Sequence, residues 1–442
     1  KTMNIQQKNG KYYPQNKLEL KSLVSNENVY LGDIDTSAVT DMSGLFADSE
    51  FEYSKREDFS GIESWDVSNV KDMSWMFNGA KNFNGGISGW DIKGEINIAD
   101  LCLRNYPKNF TIPKNENGKY KPKKALELYF LVRNKNIALK DIDTSEITNM
   151  SGLFEYSRRK DFSGIETWDV SNVENMSNMF NGARNFSSDI SGWDIKDEIS
   201  IYNLGLRNYP ENFTIPKDKN GKYKPKKALA LYYLVRNENI ALKDIDTSEI
   251  TDMSELFKYS KREDFSSIET WDVSNVKDMS FMFYEAKNFN SDLSNWDVSN
   301  VENMSSMFNG ATNFNSDISG WDVSNVKNMS YMFDGTKINF KKAFKITAHY
   351  HPQTKDELKK LVNDESIFLG RIDTSAVTDM SGLFEYSRRI DFSGIETWDV
   401  SNVKDMSSMF YYARNFNGDI SGWDIKDEIS IGSLCLQNYP KN

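Results

Sequence analysis

The sequence predicts an α/β repeat fold. It would be a solenoid of roughly 25-residue coils, with one short parallel strand and one helical turn per coil and a helical segment and hairpin at each module junction. Three observations predict it. The string Trp-Asp-Val-Ser-Asn-Val occurs six times, beginning at Trp65, Trp168, Trp271, Trp296, Trp321 and Trp398, with variants at Trp90, Trp193 and Trp423. Neighbours such as Trp65 and Trp90, or Trp271 and Trp296, are 25 residues apart. A longer period lies over the short one: 103 residues from Trp65 to Trp168 and from Trp168 to Trp271, then 127 to Trp398.

A related string without tryptophan, Asp-Thr-Ser-x-(Val/Ile)-Thr-(Asp/Asn)-Met-Ser, begins at Asp35, Asp143, Asp246 and Asp373, which brings the short units to 13. The long period divides the chain into four modules, 1–108, 109–211, 212–338 and 339–442, the third with one extra unit. Each module opens on Tyr-x-Pro, at Tyr12, Tyr120, Tyr223 and Tyr350. An amphipathic stretch such as 122–134 follows and predicts a helix. Between modules one and two, Asn109-Phe110-Thr111-Ile112-Pro113 leads into Asn117-Gly118, a hairpin turn signal. The ending Asn438-Tyr439-Pro440-Lys441-Asn442 repeats Asn105–Asn109, so a parent protein that continues past this junction is expected.

Within one unit, Met73, Met76, Phe77 and Ala80 stand at i, i+3, i+4 and i+7, the apolar stripe of a short helix. Asp72 or Ser74 would cap it. Ile87 to Ile92 suits a short strand and turn. One unit cannot bury its apolar face alone, and stacking against neighbours would make a continuous core.

The pattern Val-x-x-Met-Ser-x-Met-Phe-x-x-Ala-x-x-Phe-Asn-x-Asp-Ile-Ser-x-Trp-Asp-Val-Ser-Asn-Val resembles the BspA-like leucine-rich-repeat surface proteins of bacteria, and most closely the branch first noticed in mycoplasma surface lipoproteins. The units from Trp271 and Trp296 match best. The resemblance implies a leucine-rich-repeat solenoid, a place at the bacterial cell surface or outside the cell, and adhesion to host or cell-surface protein or glycan ligands. A structural or assembly scaffold of the envelope is the alternative.

Composition sets limits on chemistry. With 65 acidic and 54 basic residues the chain carries a formal charge of −11, and no basic run marks a nucleic-acid partner. No apolar run reaches the roughly 18 residues of a membrane span. Cys102 and Cys435 occupy equivalent places in two modules and do not make a disulfide framework. His349 and His351 could offer two metal ligands from one side of a strand, but they stand where Tyr223 is flanked by lysines, and a simple replacement is the plainer reading. Asp33-x-Asp35-x-Ser37 and Asp244-x-Asp246-x-Ser248 resemble the start of a calcium loop, yet Ala38 and Glu249 replace the turn glycine. Bonds from these acids to local backbone are the expectation. The runs 157–160 and 260–263 read as solvated loops, or as a basic rim on a binding face. No catalytic residue, cofactor or metal is expected, because carboxylates recur at repeat positions where an active site needs one distinct pocket. An enzyme would require a non-repetitive polar pocket, most plausibly at a module junction.

Aromatic residues carry the candidate site. Two, five and six places after the first core methionine stand Trp75, Phe281, Tyr331, Tyr284, Tyr411 and Tyr412, while other copies hold Asn178, Ser306 and Ser408. Packing does not dictate these positions, and exposed aromatics are common anchors of binding patches. Lateral packing against the next coil competes with that reading. Phe281, Tyr284 and Tyr331 are expected to form one cluster, with Glu285 and Asp334 at its edge.

Overall fold

The computed structural model describes residues 5–47, 56–103, 111–210, 214–338, 343 and 346–436. The 105–109 and 438–442 segments, and the start of the first junction hairpin, lie outside these residues. The chain divides into two compact units, Lys1–Thr214 and Ile215–Asn442.

Modules one to three begin with the same hairpin. In the first, β1 (Gln7–Lys8) pairs antiparallel with β2 (Lys11–Tyr12). Antiparallel bridges Lys114↔Tyr120 and Lys217↔Tyr223 repeat that hairpin in the second and third modules. The amphipathic stretches are helices: α1 (Lys17–Val24), α2 (Ala125–Arg133), α3 (Ala228–Arg236) and α4 (Lys355–Asn363). Asn16 caps α1 by accepting from the Glu19 N–H at 3.0 Å, and Thr354 caps α4 through the Glu357 N–H at 3.3 Å. In α4 only one face is buried, through Leu358 and Val362, whereas α3 is buried without a break from Leu229 to Val235.

The short units hold together through backbone bonds of a fixed pattern. From the unit of Met279, the N–H groups of Met279, Phe281, Phe283 and Glu285 donate to the carbonyls of Asn303, Ser305, Met307 and Asn309, at 2.8–2.9 Å. The N–H groups of Met304, Ser306, Phe308 and Gly310 do the same toward Asn328, Ser330, Met332 and Asp334, at 2.8–3.0 Å. The N–H groups between them close local turns, as Met282 to Met279 O and Tyr284 to Phe281 O.

This arrangement corrects two expectations. The Met-Ser-x-Met-Phe stretch is not a helical turn, although Met73, Met76, Phe77 and Ala80 are all buried. Its third residue lies at positive φ, as in Trp75 (60°), Asn178 (56°), Phe281 (55°), Ser306 (52°) and Tyr331 (55°), and an L-residue helix cannot pass through that conformation. Successive units pair not as strands but at single residues, Asp252↔Asp278, Asp278↔Asn303 and Asn303↔Asn328, all parallel. The 87–92 stretch is likewise a 3-10 turn, Ile87–Gly89, that delivers Trp90 in extended conformation. Asp72 and Ser74 are bonded to each other, the Ser74 N–H and hydroxyl donating to the Asp72 carboxylate at 2.8 and 2.6 Å, so they make a side-chain turn and cap nothing.

Side chains lock the units from both ends of the repeated string. All nine tryptophans that open a unit donate their indole N–H to a carbonyl of the preceding unit, at 2.9–3.2 Å. The asparagine of each Trp-Asp-Val-Ser-Asn-Val string donates its amide to a serine carbonyl of the preceding unit, at 2.6–2.9 Å. The aspartate turns inward locally: Asp66 accepts from the Ser68 N–H and hydroxyl, which holds its carboxyl below the usual range. Phenylalanines fill the space between. Phe257, Phe283, Phe308 and Phe333 stack in sequence with ring centroids 5.5, 5.6 and 6.0 Å apart and planes within 5°.

The charged residues of the basic runs are exposed, as in solvated loops, except for one arginine in each. Arg262 is 5 % exposed and spans from its loop to the end of α3, donating to Val235 O at 3.1 Å, Ile240 O at 3.0 Å and Asp264 O at 2.6 Å. Arg56, Arg159 and Arg389 make the equivalent bonds after α1, α2 and α4. The cation satisfies the carbonyls that a helix C-terminus leaves over, and its charge suits the negative end of the helix dipole. The expected outcome of Arg262→Met is a loss of about 3 kcal/mol in denaturant unfolding, because several buried carbonyls lose a charged donor. Lys261→Met, one residue away and exposed, should change stability by less than about 0.5 kcal/mol. Equal effects would return the run to a solvated loop.

Candidate binding surface

In the units that carry a core methionine and phenylalanine, two described places are held at positive φ, two residues after the first core methionine and two after the core phenylalanine. In the units of Met150, Met253, Met279, Met304 and Met380 both donate their N–H to the next unit, so backbone bonding is complete there whatever side chain is present. Glycine is the least strained choice, and Gly44, Gly152 and Gly382 take it at the first place, Gly79, Gly182, Gly310 and Gly335 at the second. At Gly310 a Cβ would also lie 2.5 Å from Glu285 Oε1, so side-chain space closes as well. Where a large residue stands instead, the fold has accepted strain without gaining core.

Trp75 is such a residue, 64 % exposed at φ 60°. Phe281 and Tyr284 are half-buried and touch, with centroids 5.5 Å apart. Lys258 Nζ lies 5.0 Å from the Phe281 ring centre and pairs with Glu255 at 2.6 Å. Tyr411 and Tyr412 pack edge to face at 4.6 Å. Tyr331, however, does not join Phe281 and Tyr284 in one cluster. Its N–H lies 3.4 Å from Ser393 Oγ, and its ring lines a cleft of about 260 Å³ with Asp334, Asp391, Glu396 and Asp419. The unit between holds the small, buried Ser306, which bridges nothing aromatic. Glu285 pairs with Lys287 at 3.4 Å, and Asp334 faces the Tyr331 cleft.

Three further tyrosines complete the picture and were not among the sequence candidates. Tyr156, Tyr259 and Tyr386 are 71, 50 and 63 % exposed, all at positive φ two places after a core phenylalanine. Tyr259 meets Tyr284 edge to face at 5.4 Å. Tyr386 stacks on Tyr412 at 5.3 Å and meets Tyr411 at 5.6 Å. The signal was present as Leu-Phe-x-Tyr-Ser in modules two, three and four.

The acidic groups are arranged as repeat features. In the Tyr331 cleft, burial pushes the Tyr331 phenol and the Glu396 carboxyl up. Yet Asp391 accepts from Ser393 as Asp58, Asp161 and Asp264 accept from Ser60, Ser163 and Ser266. Asp35 and Asp246, the candidate calcium ligands, likewise accept from the Ser37 and Ser248 N–H groups. His351 lies 3.2 Å from Asp373, and the nearby Arg371 adds to burial in lowering the His349 pKa. Among the described residues no group of three or more His, Cys, Asp or Glu is placed to hold a metal.

Trp75→Gly tests whether these exposed aromatics serve the fold. It removes a side chain from a left-handed position, a relief of about 1 kcal/mol, so thermal stability should stay level or rise. A clear fall in melting temperature would make Trp75 a packing residue.

A family profile described as "Mycoplasma protein of unknown function, DUF285" matches residues 18–111, 124–204, 229–346 and 356–436, one segment in each of four tandem repeats. No curated protein and no solved structure matches the chain. Four matched segments that together span most of the sequence place the chain in this family: it belongs to the DUF285 proteins.

Proposed function

We propose that the chain is a non-enzymatic binding protein of the bacterial cell surface, a leucine-rich-repeat-like solenoid of the BspA-like kind that offers an exposed aromatic face to host or cell-surface protein or glycan ligands. The observation that carries this reading is the Tyr386, Tyr411 and Tyr412 cluster. Tyr386 and Tyr412 are exposed and both sit at positive φ, where tyrosine costs conformational energy that glycine would not. Related tyrosines recur in modules two and three, so the feature is multiplied along the chain, as multivalent attachment requires. Arg414 lies 5.8 Å from the Tyr412 ring centre, which adds a cationic group at the edge of the patch. Catalysis finds less support: Asp391 of the module three–four cleft stands at a position repeated in every module and accepts there from the equivalent serine N–H.

The test uses fluorescent full-length chain on host epithelial cells, read by flow cytometry. Changing Tyr386 and Tyr412 to Asn, which tolerates positive φ, and Tyr411 to Ser should leave the melting temperature nearly unchanged. It should lower attachment about tenfold, the loss of roughly 1.4 kcal/mol expected for one modest hot spot. Unchanged attachment would move the contact face elsewhere. A chain that binds no cells but self-associates at micromolar concentration would favour an envelope scaffold.

A further inference from the structure

A second feature, resting on the surface-binding reading, names a ligand chemistry. In module two an open cleft of about 350 Å³ is lined by Tyr156, Ser157, Arg158, Gly182, Arg184 and Asn185. That volume is in the range of small-molecule sites, about 300–1,000 Å³. Tyr156 is held in place by its N–H bond to Asn181 O at 2.8 Å. Its ring lies against the Gly182 backbone so closely that a Cβ there would fall 2.4 Å from Tyr156 Cδ1. Arg158 comes from the same unit as Tyr156 and Arg184 from the next, and both are exposed. Among the described residues no carboxylate pairs with either guanidinium, although acids outnumber bases in the chain. Arg159, between them in sequence, is spent on the end of α2.

We propose that this cleft binds a sugar bearing an acidic group, a carboxylate or a sulfate ester. The two guanidiniums supply planar paired donors that match either anion. The tyrosine supplies a flat apolar face with a hydroxyl at its edge, which suits the face of a pyranose ring. An acidic peptide is the less fitting occupant, because strand-like docking needs free main-chain groups. Here the N–H groups of Tyr156, Ser157, Arg159 and Ala183 are already bonded to Asn181 O, Phe154 O, Ser157 Oγ and Phe180 O. Module two carries the open form of the site. In module three the counterpart of Gly182 is Glu285, which neutralises Lys287 at 3.4 Å. In module four it is Tyr412, whose ring stacks on Tyr386 at 5.3 Å and occupies the space beside it.

The experiment measures binding of the whole chain to 3′-sialyllactose, lactose 3′-sulfate, neutral lactose and a glutamate-rich decapeptide by isothermal titration calorimetry. Both acidic sugars should bind at least tenfold more tightly than lactose and weaken as salt rises. Arg158→Gln with Arg184→Gln should lower acidic-sugar affinity at least tenfold, and Tyr156→Asn several-fold, with circular dichroism and melting temperature unchanged. Arg388→Gln, at the place in module four equivalent to Arg158, should change it less than twofold. Acidic sugars binding no better than lactose would overturn the proposal, as would decapeptide binding with the same dependence on Arg158 and Arg184. If the double variant fails to fold, the comparison of wild-type affinities and the Tyr156→Asn result decide. Cell attachment that still depends on Tyr386 while acidic sugars fail would leave the surface-binding reading standing and remove this one.

Discussion

In the units of Met150, Met253, Met279, Met304 and Met380, four backbone N–H groups, on alternate residues, donate to the carbonyls of the next unit, and the rest of each unit is shaped by that requirement. A strand would also aim alternate donors at one neighbour, but here the N–H groups between them close local turns instead of reaching a second neighbour. The turns in turn place two residues per unit at positive φ. A strand would send the intervening donors to a neighbour on its other side, and a helix would spend all of them on itself. The observed backbone therefore has few residues in regular elements while many of its N–H groups are bonded.

This constraint separates folding from recognition. At the first of the positive-φ positions the fold takes a backbone bond and holds different side chains, Gly152, Asn178, Phe281 and Ser306 in equivalent places. Core positions behave in the opposite way. Met279, Met282 and Phe283 are fully buried, and the phenylalanine stack from Phe257 to Phe333 leaves no room for another ring size. Surface chemistry can thus be changed unit by unit on a fixed frame. The recurring arginine that ends each helix couples the helical start of a module to the units that follow it, for example Arg262 between α3 and the loop at Asp264.

Repetition and burial were legible in the sequence because both depend only on which residues are apolar and how often they recur. The i, i+3, i+4, i+7 spacing of Met73, Met76, Phe77 and Ala80 named the buried set correctly. It did not name the backbone, because a pair of tight turns returns side chains to one side with nearly the same spacing as a helix. The indole and amide bonds of the Trp-Asp-Val-Ser-Asn-Val string were invisible, since a sequence period does not reveal which neighbour a polar group reaches. Arg262 read as solvent-facing because charged runs usually are, and only the position of the α3 terminus shows otherwise. Of the surface aromatics, Phe281 with Tyr284 and Tyr411 with Tyr412 were found from their variation between copies. Tyr156, Tyr259 and Tyr386 were passed over because they vary little among the modules that hold them, which resembles core behaviour.

The backbone ladder is tested most directly by amide hydrogen exchange, resolved at single residues in the unit of Met279. Phe281 and Glu285 are incompletely buried, while Phe283 is fully buried, yet all three N–H groups donate to the next unit at 2.8–2.9 Å. If the ladder governs the fold, the three amides open only together, and their protection is the same within about tenfold. Protection that follows side-chain burial, with Phe281 and Glu285 exchanging several orders of magnitude faster than Phe283, would contradict it.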